Sequence, residues 1–147
     1  MVTQHDILGC WQLHAAMEQR GGCTGPNPNY GSRPNGFLYY LPDGRVAVTI
    51  ANDGRKPLSG TNRRMAPAEE LAEAARTFDA YAGRFTLLAP DRIVHHVEVS
   101  SCQNEVGTDL VRQLSLNGDL LRLEPPPFHE NDQTIIRWLV WRRLSSY

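Results

Sequence analysis

The chain has 147 residues, 41% of them hydrophobic and 21% charged, with a formal net charge of -1. That length suits a single domain burying roughly 70% of the surface its unfolded chain exposes, and the composition is that of an ordinary globular protein rather than a disordered one. Basic residues run no further than Arg63-Arg64 and Arg142-Arg143, so the concentrated cationic face that nucleic acid requires is not expected.

The first residues, MVTQHDILGCWQLH, lack the basic segment and long apolar core of a signal peptide. No apolar run approaches the ~20 residues that cross a bilayer. A cytoplasmic location without a membrane partner is therefore expected. Cys10, Cys23 and Cys102 are odd in number and have no C-x-x-C spacing, which predicts reduced thiols rather than a disulfide framework or zinc site.

Leu8 to Met17 alternates as a half-buried strand, with Trp11, Leu13, Ala15 and Met17 on one face. GGCTGPNPNYGSRPN, residues 21–35, is a long Gly/Pro/Asn loop of the kind that forms lids and rims. FLYYLPDGRVAVTI then predicts a hairpin turning at Asp43-Gly44. With those two as loop residues, Leu41 faces Val46, Tyr39 faces Val48 and Phe37 faces Ile50, which puts Tyr39 inside and Tyr40 outside.

Asn52 to Arg64 is polar loop. Pro67-Ala68-Glu69-Glu70 opens a helix whose apolar stripe is Leu71, Ala74, Ala75, Phe78 and Tyr81, stopped by Gly83. Arg84 to Leu88 turns through Ala89-Pro90-Asp91 into a long hairpin, Arg92 to Leu116. The turn at Asn117-Gly118 pairs Leu114 with Leu121 and Arg112 with Leu123. A last strand runs from Thr134 to Leu144. The fold class is thus all-β, one domain over 1–147. It is an eight-stranded antiparallel up-and-down meander with a helix after the third strand, closed into a barrel because closure removes unpaired edges. Such a barrel holds one small ligand.

Gly9-Cys10-Trp11 resembles the G-x-W signature of lipocalin and related calycin barrels. The chain as a whole resembles the lipocalin-like domain family of small bacterial and fungal proteins, through GCW at 9–11, GFLYYLPDGRV at 36–46, AYAGRF at 80–85, HHVEVS at 95–100, GTDLVR at 107–112 and LVWRR at 139–143. The resemblance implies that Trp11 closes one barrel end beneath an arginine of the last strand, for which Arg142 lies on the expected face. It also implies a small hydrophobic molecule as ligand or substrate.

The polar groups narrow the chemistry. His95 and His96 are strand neighbours, so they point to opposite faces and cannot share an ion, and His5, His14 and His129 are scattered. No metal is expected. Neither G-x-S-x-G nor G-x-G-x-x-G occurs, so neither a hydrolase elbow nor a dinucleotide cofactor is expected. Acid–base work in a lined pocket remains. In one reading Ile93, His95, Val97 and Val99 face inward, with His95 as base near Tyr39 and Arg112. In the other, Pro90-Asp91 is a two-residue loop and a His96–Glu98 pair faces inward. A histidine among valines is equally what a hydrogen-bonded core residue looks like.

Arg112 shares its face with Leu110, Leu114 and Leu116, so it needs a carboxylate partner (Asp109 or Glu98) or an anionic ligand. Glu98, Trp138, Val48, Tyr81 and Leu114 are candidate ligand contacts, and Tyr30 and Phe128 are candidate lid contacts or loop anchors. The expected function is a cofactor-free isomerase or cyclase of secondary metabolism acting on a small hydrophobic molecule. His95 or His96 would be the acid/base and Tyr39 and Arg112 the clamps. The alternative is a carrier or sensor that leaves its ligand unchanged. A homodimer is compatible with either.

Overall fold

The computed structural model describes residues 1–147. A short helix α1 (Gln4–Ile7) leads into β1 (Gly9–Arg20), β2 (Cys23–Pro26), β3 (Asn35–Tyr40) and β4 (Arg45–Ala51). A polar loop and helix α2 (Ala68–Arg76) follow, then β5 (Phe78–Leu88), β6 (Arg92–Ser100), β7 (Asp109–Asn117), β8 (Leu120–Glu124), β9 (Phe128–Glu130) and β10 (Gln133–Ser146). Successive barrel strands pair antiparallel. β1 also pairs along β10, from Gly9–Ser146 to Arg20–Ile135. That second pairing closes an eight-stranded barrel, with β2 and β9 as short strands paired only to β1 and β10. No helix is long and apolar enough to cross a membrane.

One barrel end is sealed by the chain's own start. Ile7 and Trp11 are fully buried, and the Trp11 indole N–H donates to Ile7 O at 2.9 Å. The Arg143 guanidinium lies 4.2 Å from the Trp11 ring centre and donates to Asp6 O (2.6 Å) and Leu8 O (3.3 Å). The clasp therefore uses Arg143 in place of Arg142, which is exposed. The reason is register. Trp141 and Ile135 face inward on β10, so the odd-numbered residues point in, and β1 places Trp11 opposite Arg143 after an irregularity at Cys10/Trp11.

Single residues of register decide most of the other departures. Tyr40 pairs with Val46 and Leu38 with Val48, because the turn is a one-residue-longer form. Gly44 N–H donates to Leu41 O (3.0 Å), Leu41 N–H donates to Arg45 O (2.9 Å), and Gly44 sits at φ +86°. This type I turn with a glycine bulge shifts the pairing by one and exchanges the two faces. Leu38 and Tyr40 are buried at 0% exposure, while Tyr39 is 38% exposed. In β1 a bulge between Leu13 and Ala15 likewise brings Ala16 and Glu18 inward in place of Ala15 and Met17. At the β7–β8 turn Leu114 pairs with Leu123 and Leu116 with Leu121. That is a shift of two from the expected pairing, so the inward face is unchanged.

The helix is also shorter than its stripe. α2 ends at Arg76, no residue of it is buried, and Phe78 and Tyr81 belong to β5. Gly83, expected to stop the helix, lies mid-strand at a β5–β6 irregularity. A Cβ there would run into the His96 backbone carbonyl, so only glycine lets the strands approach so closely.

Truncating Trp11 to Ala is expected to cost about 3–5 kcal/mol, the range for a large buried aromatic. Arg143→Ala should cost about 1–3 kcal/mol through its lost charge-assisted hydrogen bonds, and Arg142→Ala should stay within about 0.5 kcal/mol. Equal losses at Arg142 and Arg143 in urea unfolding would disprove the clasp.

Candidate functional site

Beyond the sealed end, the barrel holds a cavity of about 230 Å³. Its walls include Leu38, Val48 and Ile50 from β3 and β4, Leu110 and Arg112 from β7, and Leu139 and Trp141 from β10. Asn27, Asn29 and Tyr30 of the β2–β3 loop border it as well, and no residue of α2 does. The long Gly/Pro/Asn loop read from sequence as a lid or rim thus borders the cavity, and the helix does not. Asn27 is buried, its N–H donating to Ala16 O (2.9 Å) and its Oδ1 accepting from Asn29 N–H (3.0 Å). The Tyr30 hydroxyl donates to Asp79 Oδ2 (2.9 Å), and the Asn52 side chain donates to Asn29 O (2.7 Å).

The polar centre of the cavity is His95. The β5–β6 turn contains three residues, pairing Leu88 with Arg92, Leu87 with Ile93 and Phe85 with His95. All three histidine neighbours on that face, Phe85, Ile93 and Val97, are buried with it, and His95 is 1% exposed. Its Nε2 lies 2.7 Å from the Tyr40 hydroxyl and its Nδ1 2.6 Å from the Tyr81 hydroxyl. Burial, chiefly, and then the positive charge of Arg112 pull its pKa down to about 3. Burial raises Tyr81 to about 12 and pushes Tyr40 well above its ordinary value, with Arg112 pulling both back. All three rings are neutral at physiological pH.

Arg112 is half-buried at the cavity wall. Its only hydrogen bond is to the neighbouring Val111 O (3.0 Å), and it makes no ion pair. Neither Asp109 nor Glu98 partners it. The other wall arginine, Arg137, is committed to the buried Glu18 (2.7 Å), which it holds below the usual carboxylate pKa.

The remaining sequence-derived candidates separate by face. His96 is outside, its Nδ1 2.7 Å from Asp109 Oδ1 and its Nε2 2.9 Å from Thr86 Oγ1. Glu98 is outside too, ion-paired with Arg84 (3.5 Å) and Arg45 (3.7 Å). Of the two registers open from sequence, the one with His95 inward is adopted and the inward His96–Glu98 pair does not form, because the three-residue turn places Phe85 and Leu87 on the His95 face. Tyr39, expected as an inward clamp, is on the outer surface stacked with Phe37; Tyr40 occupies the inward position. Val48 and Tyr81 line the cavity, whereas Leu114 is buried in the core without reaching it. Trp138 borders the cavity, but the Arg122 guanidinium covers its ring at 4.2 Å. Phe128 is covered by Arg137 at 4.9 Å.

Tyr40 and Trp141 are site residues that sequence reasoning missed. The signal for Tyr40 was present in Leu41-Pro42-Asp43-Gly44, a sequence suited to a type I turn followed by a left-handed glycine. Trp141 was assigned to the correct alternation class, but nothing local marks which class faces inward.

The sequence pattern of the lipocalin-like domain matches residues 8–144, nearly the whole barrel. The chain belongs to that family. Among proteins of known role, this lipocalin-like chain is similar to the 4'-hydroxy-3'-methoxypropiophenone carrier protein of Aspergillus oryzae. The two are 37% identical over 106 residues, covering 65% of this chain and 88% of the relative.

A histidine whose folded pKa lies near 3, against about 6.5 unfolded, binds its proton more readily in the unfolded chain. Its contribution to stability is complete above pH 6.5 and is lost as pH falls toward 3. Between pH 6.5 and 5, above the carboxylate range, the folding constant should fall up to about tenfold per pH unit from this group alone. His95→Gln should flatten that slope in urea titrations, and an unchanged slope would show that His95 is not held neutral.

Proposed function

We propose that this barrel is a carrier for one small, flat, hydrophobic molecule of roughly single-ring size, held in the interior and released unchanged. The observation that carries the reading is the state of His95. The only titratable imidazole in the cavity has both nitrogens engaged by tyrosine hydroxyls, and its pKa is far below neutrality. A general base works best with a pKa near the operating pH, and His95 is about four units away on the weakly basic side. The isomerase or cyclase reading therefore has less behind it than the carrier reading. His96, the other candidate base, sits on the outer surface, away from the cavity.

Size and relationship support the same reading. The cavity's 230 Å³ lies below the roughly 300–1,000 Å³ of sites for drug-sized ligands, which suits one ring with short substituents. The similar Aspergillus protein is named as a carrier of a substituted propiophenone, a ligand of that scale. An alkyl aryl ketone or related phenolic of secondary metabolism is thus the proposed cargo.

The test is a titration with 4'-hydroxy-3'-methoxypropiophenone, followed through intrinsic tryptophan fluorescence, because Trp141 lines the cavity. Saturable one-to-one binding is expected, with a thermal midpoint that rises with ligand concentration as binding to the folded state requires. Mass spectrometry after prolonged incubation should recover the ligand intact. A chemically altered ligand would replace the carrier with an enzyme. Leu110→Trp, which fills the cavity from its wall, should weaken binding at least tenfold in a protein that still folds.

A further inference from the structure

The hydrogen-bonding groups around the cavity are unbalanced. Among its acceptors, Asp79 already receives the Tyr30 hydroxyl, Glu105 the Ser100 hydroxyl, and Asn27 Oδ1 the Asn29 N–H. The buried Glu18 has each carboxylate oxygen engaged, by Arg137 and by Arg20. The donors are less fully used. Trp141 is 1% exposed, lines the cavity, and carries the one buried side-chain nitrogen or oxygen in the molecule that has no hydrogen-bond partner, its indole Nε1–H. Leaving a buried donor unpaired is costly, and each case calls for an explanation. Arg112 contributes a guanidinium with a single hydrogen bond.

Proton counting adds a third donor. The Tyr40 hydroxyl is fully buried and has His95 Nε2 as its sole partner. If Nε2 carried the imidazole proton, the buried Tyr40 O–H would have no acceptor among the protein's groups. Tyr40 therefore donates to Nε2, and a neutral imidazole then carries its hydrogen on Nδ1. Nδ1–H donates to the Tyr81 oxygen at 2.6 Å. With that lone pair occupied, Tyr81, which lines the cavity, has its own O–H left to give. The relay runs in one direction, from Tyr40 through His95 to Tyr81, and each bond polarises the next.

We propose that the cavity recognises a hydrogen-bond-accepting oxygen on its ligand, a carbonyl conjugated to an aromatic ring in particular. Its donors are Tyr81 O–H and Trp141 Nε1–H beside the Arg112 guanidinium, and His95 is a positioning residue that fixes Tyr81 as donor. The inference rests on the carrier reading and names the chemistry that reading selects. A carbonyl satisfies the donors without bringing one of its own. An alcohol brings an O–H of its own, for which the only free carboxylate oxygens are those of the solvent-exposed Asp79 and the half-buried Glu105, and a hydrocarbon leaves every donor unpaired. Sites built to hydrogen-bond a substrate group reject analogues that lack it far more strongly than apolar pockets reject a change of size.

Three probes of nearly the same shape test this by calorimetric titration: propiophenone, 1-phenylpropan-1-ol and propylbenzene. The ketone should bind at least tenfold more tightly than either of the others. The infrared carbonyl band of bound propiophenone should lie below its position in hexane. Tyr81→Phe should bring ketone and alcohol to within about threefold and move the band part of the way back, leaving propylbenzene affinity nearly unchanged. His95→Phe should have the same effect on the ratio and the band, which a loss of packing alone would not produce. On the unsubstituted chain, nitrogen-15 NMR of His95 should find the proton on Nδ1. A proton on Nε2, or equal binding of all three probes, overturns the inference while leaving the carrier intact. If none of the three binds, the carrier reading falls and the inference falls with it.

Discussion

Every interior feature of this molecule depends on the ladder between β1 and β10. Two long strands, Gly9–Arg20 and Gln133–Ser146, pair along almost their whole length, and without that pairing the meander would be an open, twisted sheet with two exposed edges. Closure turns one face of every strand into an inside. It also brings the first and last turns of sequence together, so that Trp11, Arg143 and the carbonyls of Asp6 and Leu8 form a clasp at one end. A cation above an indole, with its N–H groups on carbonyl oxygens, satisfies charge and ring together. The cavity lies on the other side of that plug.

Placing polar groups inside such a barrel is expensive unless each is paired. His95 meets the condition twice over, and Tyr40 meets it through His95. The cost appears as depressed basicity, which turns a familiar acid–base residue into a fixed element of a hydrogen-bonded chain. Arg112 and the Trp141 N–H are where the pairing stops. Both residues line the cavity, and a buried donor without a partner, as at Trp141, calls for an explanation. The outward Thr86–His96–Asp109 chain has hydrogen bonds of similar length, but it faces solvent, and the backbone of its strands is used in the barrel ladders.

Turn chemistry links sequence to site more tightly than any motif. Tyr40 is inside and Tyr39 outside because Leu41-Pro42-Asp43-Gly44 adopts a bulged turn in place of a two-residue one. The same arithmetic at Ala89-Pro90-Asp91 places His95 with Phe85 and Ile93. At Gly118-Asp119 the register moved by two, and the inward row of leucines was unaffected. Odd shifts exchange the faces of a strand and even shifts do not, so a small error in a loop reverses the chemistry of a pocket or leaves it untouched.

The sequence by itself determined the eight barrel strands except for the start of β5, their order, the closed barrel and the tryptophan at its end, while the short β2 and β9 lie in stretches it reads as loops. Alternation with period two, Gly/Pro/Asn punctuation and the dispersed family segments are local signals, and they survive whatever the distant chain does. Tertiary structure alone decided which alternating face became the interior, that Arg143 rather than Arg142 covers Trp11, and that Phe78 and Tyr81 leave the helix for β5. It also decided that Tyr40, His95 and Tyr81 form one chain beside Arg112 and Trp141. Those outcomes depend on bulges and turn lengths whose local energies differ little. The choice falls to cross-strand packing and to the cost of burying an unpaired polar group, and both exist only once the barrel has closed.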